Sequence, residues 1–218
     1  MHESLSDGGS KSRSVARLSD VHRTALTPSN ARRLAEALGH ARGAADWRAR
    51  KEVEARELLA LSQIAPPGRL DVAWFDLGED FRALLHMTDV PVPCQPGTNN
   101  ALRIHSGATL GMIYPSAAPR QSLPGSVFFQ ILSPHGVWLP QVAPPQQQLC
   151  VAASVPAGTP VRALVLMAYG ALTMQSIQMD ASHPAGVFQP AIAEWWQSNL
   201  ECYVPLTRTP FLGVDDAR

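Results

Sequence analysis

Lysine is almost missing from this chain: Lys11 and Lys51 are the only two among 218 residues. Arginine supplies the rest of the positive charge, and 18 basic residues balance 18 acidic ones to a net charge of zero. Such neutrality removes the long-range field that draws proteins to nucleic acid or anionic lipid, so neither partner is expected. Cysteine is scarce too. Cys94, Cys150 and Cys202 have no C-x-x-C spacing and are odd in number, which excludes a complete disulfide framework and any paired metal-ligand pattern. No cofactor or metal is expected. The longest apolar run, residues 163–174, is too short to span a bilayer, and the first 20 residues carry no apolar signal core. These shortages predict a soluble protein in a reducing, cytoplasmic setting.

What is present suits one domain with extensions, since 45% hydrophobic residues suffice for a core at this length. Residues 1–26 are rich in Ser, Gly and Arg and read as a mobile tail. Thr27-Pro28 is a helix start, and Ala31, Leu34, Ala35 and Leu38 give the stripe of an extra N-terminal helix within residues 27–45. A second helix is expected from Asp46 to about Gln63. It carries Trp47, Val53, Leu58, Leu59 and Leu61, with a charged face of Arg48, Arg50, Lys51, Glu52, Glu54, Arg56 and Glu57 turned to solvent or to a partner.

Residues 70–77 and 81–88 read as strands joined by Gly78-Glu79-Asp80; three prolines make residues 89–100 a loop, with Cys94 half-exposed in it. Residues 101–114 suggest a strand or a hairpin around Ser106-Gly107, and 127–132 a further strand. After a proline-studded crossing come Cys150, a Thr159-Pro160 helix start, an all-round apolar helix over 161–179 and a last amphipathic helix from Pro190 bearing Ile192, Trp195, Trp196 and Leu200. Helices flanking a run of strands, without strand–helix alternation, predict an α+β fold with an antiparallel meander. The domain is expected over 46–204, with 205–218 a tail.

Cys150 lies at the centre of this arrangement. A lone thiol on irregular backbone beside a buried helix suits nucleophilic chemistry, and it equally suits an inert core cysteine. A dyad with His135 or His183 would make the chain a thiol hydrolase, although no histidine lies within ten residues of Cys150.

The element order, together with four local strings, resembles the ubiquitin-conjugating enzymes. Tyr114-Pro115 resembles the YP that ends that family's third strand. Leu139-Pro140-Gln141-Val142 is similar to its HPNV motif, and Leu149-Cys150 follows at nearly the family spacing of its LC or IC. DASHPAGVFQPAIAEWW, residues 180–196, resembles the family segment from a DP-like turn into NPEIAEMY. The chain departs from the pattern where Leu139 replaces His, where Gln141 replaces Asn, in a longer loop after YP, and in lacking a W-P pair beyond the cysteine. Those departures resemble divergent bacterial members that serve ubiquitin-like conjugation beside activating enzymes and deconjugating proteases.

The resemblance implies that Cys150 accepts the carboxyl terminus of a ubiquitin-like protein as a thioester from an activating-type enzyme, then yields it to an amine. Thioester exchange swaps near-equivalent bonds and needs no strong base beside the sulfur. Aminolysis builds charge on a carbonyl oxygen, for which Gln141 is the candidate donor; its alternative is a brace for the crossing loop. Asp180 is placed to orient the amine, with Ser182 and His183 as neighbours, or else simply forms a turn. Arg48, Arg50 and Lys51 on the domain's first helix are expected to dock the activating enzyme, so that reversing their charges slows charging without unfolding. Self-modification is expected on Lys11. A catalytically inactive relative kept as an interaction module is the other outcome the altered motif allows.

Overall fold

The computed structural model describes residues 16–97, 101–176, 178–180 and 187–213, apart from the side chain of Cys202. Five α-helices and six strands appear among them: α1 (Pro28–Gly39), α2 (Ala45–Ile64), β1 (Asp71–Asp76), β2 (Phe81–Cys94), β3 (Arg103–Tyr114), β4 (Phe129–Ser133), β5 (Val142–Ala143), β6 (Gln148–Leu149), α3 (Val161–Leu172), α4 (Pro190–Gln197) and α5 (Leu200–Tyr203). The strands form one antiparallel sheet in the order β1-β2-β3-β4-β6-β5. The fold is therefore mixed α+β, with a four-stranded meander extended by a short hairpin.

Alternation decides which face of the sheet is covered. Phe81, Ala83, Leu85 and Met87 of β2 point inward, as do Ala108, Leu110, Met112 and Tyr114 of β3 and Phe129 and Ile131 of β4. Against that face lie Leu58, Leu59 and Leu61 of α2 and Val161, Leu164, Val165 and Ala168 of α3, all buried. Each fully buried leucine contributes about 1.5–3 kcal/mol relative to exposure, so this shared layer is the main favourable term. At the free edge, Arg33 of α1 donates to the carbonyls of Val72 and Ala73, which blunts β1 against pairing with another chain.

The Thr27 expectation holds: its hydroxyl accepts from the Asn30 amide at 3.3 Å and caps α1. Other elements differ from the sequence reading. β2 does not stop at Thr88 but passes a bulge and continues through Pro91 and Pro93 to Cys94. A residue in a strand turns its N–H and C=O to the same side. The Pro93 carbonyl accepts from the Trp138 amide at 2.8 Å, so its missing donor faces that side and not β3. Cys94, at the strand's end, is 4% exposed rather than half-exposed. Residues 103–114 form one strand, with no turn at Ser106-Gly107.

Helix α3 begins without help from Thr159, whose hydroxyl bonds the Pro156 carbonyl at 2.8 Å. Its first amide, that of Val161, donates instead to the Glu54 carboxylate of α2 at 2.6 Å. It ends at Leu172, well short of 179, where the Thr173 hydroxyl returns to the Tyr169 carbonyl and Met174 takes a left-handed φ of 57°.

The largest departure is on α2. Lys51 is 0%, Glu54 1% and Glu57 7% exposed, while Val53 stands out in solvent. This helix packs against α3, α1, β1 and a 3-10 helix at Leu18–Arg23, and its wet face runs instead through Arg48, Ala49, Glu52, Val53 and Arg56.

Candidate functional site

Cys150 follows directly on β6, where the chain leaves the sheet. Its amide donates to the Gln141 carbonyl at 2.9 Å, and the preceding Leu149 pairs with Val142. The crossing thus folds back as a tight hairpin, with the Leu139–Val142 string lying against the Leu149-Cys150 string. Gln147 fixes the outer end of this hairpin. Its side-chain oxygen accepts from the Gly136 and Val137 amides, and its nitrogen donates to the Ile131 and Pro134 carbonyls. No sequence signal pointed to Gln147, which differs from exposed Gln146 and Gln148 in being half-buried and in its φ of 54°.

The sulfur itself is secluded. Cys150 is 8% exposed, and its thiol donates to the Ala152 carbonyl at 3.1 Å. Burial is the largest influence and raises the thiol's pKa above the ordinary 9.0, with the Ala152 backbone acting in the other direction as the smaller effect. Beyond it the backbone surfaces quickly: Val151 and Ala152 are half-buried, Ala153 and Ser154 exposed. The proton therefore stays on sulfur at neutral pH. Alkylation of Cys150 is expected to accelerate about tenfold per pH unit between pH 7 and pH 8, because only thiolate reacts. Labelling followed by mass spectrometry checks this; a plateau below pH 8 would mean an activated thiolate.

The expected partners distribute unevenly around that sulfur. Gln141 is 3% exposed and donates its side-chain amide to the Ala171 carbonyl near the end of α3 at 3.2 Å, so it ties the crossing to α3 as a brace. Its side-chain oxygen is buried without a partner. His135 is exposed and lies beside Gln147, its Nδ1 3.5 Å from that side chain. Among the described residues no imidazole hydrogen-bonds the Cys150 sulfur, and the dyad with His135 does not form. His183 and Ser182 lie outside the described residues. Asp180 is exposed, and its amide donates to the Gln178 side chain at 2.9 Å; residues 181–184 of the expected turn lie outside the described residues.

The docking set divides. Arg48 is exposed, as expected. Arg50 is half-buried: its guanidinium meets Glu54 at 2.6 Å and the Gly158 carbonyl at 2.9 Å. Lys51 lies wholly inside, donating to the carbonyls of Arg42, Leu77 and Gly78. Lys51 is therefore not presented to a partner, whereas Arg50, with its side chain 34% exposed, is held by internal acceptors at the wall of an open cleft.

Among the described residues no three His, Cys, Asp or Glu side chains are grouped to hold a metal ion. No described helix is long and apolar enough to cross a membrane. Comparison with protein-family models, with curated proteins and with solved structures finds no match for this chain.

Proposed function

We propose that this chain is a ubiquitin-conjugating-type carrier, which takes the carboxyl terminus of a ubiquitin-like protein onto Cys150 and passes it to an amine. The observation that carries the reading is the hydrogen bond from the Cys150 amide to the Gln141 carbonyl. It sets the two strings that resemble HPNV and LC side by side, at the end of a meander whose third strand closes on Tyr114-Pro115. Helix, meander, crossing, thiol, buried helix and amphipathic helix then follow in the order expected of a UBC-like fold.

The chemistry asks little of the surroundings. In the first step the Cys150 sulfur attacks the thioester carbonyl held by an activating-type enzyme. A new C–S bond forms, the old one breaks, and the proton of Cys150 ends on the departing thiol. Because the bonds exchanged are near-equivalent, a neutral thiol without an imidazole partner suits this step better than it suits hydrolysis of an amide. In the second step a neutral amine attacks, the C–N bond forms, the C–S bond to Cys150 breaks, and a proton from the amine passes to the departing sulfur. Arg48 remains the candidate contact for the activating enzyme. With Lys51 engaged inside the fold, self-modification is expected at Lys11, which lies outside the described residues. A deconjugating protease would be a partner in the pathway rather than of this site.

A second reading, a non-catalytic interaction module of the same fold, is favoured by the 8% exposure of Cys150 and by the use of Gln141 as a brace. Incubation with a cognate activating enzyme, ATP and ubiquitin-like protein separates the two. The carrier gives an adduct that reductant removes, and Cys150→Ser gives one that reductant leaves intact. No adduct with a verified cognate pair would leave only the interaction module; release of a carboxyl-terminal fusion without ATP would reveal a hydrolase.

A further inference from the structure

Residues 118–125, in the connection between β3 and β4, run alongside residues 151–158, immediately after Cys150. Five main-chain hydrogen bonds stitch the two: Gly125 to Ala152 (3.1 Å), Val151 to Gly125 (3.4 Å), Leu123 to Val155 (3.1 Å), Val155 to Leu123 (2.8 Å) and Gly158 to Ala118 (2.9 Å), each donor named first. Gly125 marks the closest approach. A Cβ there would fall 2.1 Å from the Ala152 oxygen and 2.5 Å from the Ala152 nitrogen, so only glycine permits the seam to close. The carbonyl that Gly125 holds is the same one that accepts the Cys150 thiol.

Apolar packing of this seam is limited to its inner side, where half-buried Leu123, Val151 and Ala152 rest on the core, and Arg120 pairs with Asp46 of α2. Ala118 and Val155 are its buried anchors, while Arg120, Gln121, Ser122 and Pro124 on one side and Ala153, Ser154, Pro156 and Ala157 on the other are exposed. Segments held mainly by exposed backbone bonds open at a much lower free energy than the core. We propose that residues 118–125 are a gate over Cys150. Closed, the seam stores the thiol hydrogen-bonded to Ala152 and shielded. Open, it frees that carbonyl and lets an incoming acyl group reach the sulfur. The gate rests on the carrier reading for its purpose but not for its test, which needs neither activating enzyme nor ubiquitin-like protein.

The test is iodoacetamide labelling of the full chain, resolved to each cysteine by mass spectrometry and run across sub-denaturing urea. Opening of the gate makes Cys150 labelling depend on urea much more weakly than global unfolding followed by circular dichroism. In Gly125→Ala, whose new methyl group forces the seam apart, Cys150 labelling is expected to rise about tenfold while Cys94, buried at the end of β2, keeps its rate. A Cys150 urea dependence as steep as global unfolding overturns the gate, and so does a folded Gly125→Ala with an unchanged Cys150 rate or with Cys94 rising in step. If the variant does not fold, the wild-type urea dependence decides alone. Failure of charging with a normal gate would count against the carrier and not against the gate.

Discussion

Glu54→Ala is expected to destabilise the fold by about 3 kcal/mol or more, judged from what a buried, paired carboxylate leaves behind when it is removed. Three losses combine. The Val161 amide at the start of α3 loses its acceptor at 2.6 Å, in a helix whose own N-cap, Pro160, offers no side-chain acceptor. The half-buried Arg50 guanidinium loses its partner at 2.6 Å. A void also opens where α2 meets α3. For a chain of this size the melting temperature should fall by roughly 6–12 °C, which calorimetry or a thermal melt reads directly. Glu54→Gln, which keeps an oxygen for the Val161 amide, should lose less. A drop under about 1 kcal/mol in Glu54→Ala would mean that α3 starts equally well without its neighbour's carboxylate.

The same carboxylate gives the stability a pH dependence of definite sign. Burial, the largest influence, raises the Glu54 pKa above its ordinary 4.5, while the Val161 amide and Arg50 act in the opposite direction. A group with a raised folded pKa binds more protons in the folded state than in the unfolded state. Its contribution is therefore fully present below about pH 4.5 and is lost as pH rises from there through the folded pKa. Glu54→Gln should flatten this fall.

Much of the architecture was legible because its determinants are local. Thr27 caps α1 through its own side chain, and the alternation of Phe81, Ala83, Leu85 and Met87 names the buried face of β2. What stayed hidden depends on groups far apart in sequence. Prolines argued against a strand at residues 89–94, yet by that point β1 has ended, and the side to which Pro93 would have donated carries only the Trp138 contact. The cap of α3 was assigned to Thr159 by adjacency, when it comes from a side chain 107 residues earlier. At the candidate site, the sequence offered the LPQV and LC strings and the spacing between them, but not their pairing across β5 and β6. The seclusion of the sulfur was hidden too: the thiol donates to the Ala152 carbonyl, which also accepts from Gly125 of the β3–β4 connection.

Lys51 is where charge misled most, and it carries the sharpest test. Trp47, Lys51, Glu54, Leu58 and Leu61 follow one another at steps of four and three, the spacing of a single buried stripe, so two charged residues occupy core positions. The Lys51 ammonium lies in that stripe with three carbonyl acceptors and 5.4 Å from the Trp47 ring centre. It joins α2 to the loop before it and to the β1–β2 turn. Lys51→Met keeps the apolar stem but removes three bonds from a charged donor. It leaves the Arg42 carbonyl without its ammonium partner and the Leu77 and Gly78 carbonyls with only the Arg42 amide at 3.3 and 3.4 Å, at a cost of about 3 kcal/mol or more. Lys51→Glu adds a buried negative charge facing carbonyl oxygens and should prevent folding. Arg48→Glu changes an exposed side chain and should alter stability by less than about 0.5 kcal/mol. Urea denaturation of the three variants orders them, and near-wild-type stability in Lys51→Glu would contradict the buried placement. Charge reversal at Lys51 therefore cannot report on docking; only Arg48→Glu can, as slower charging in a protein that still folds.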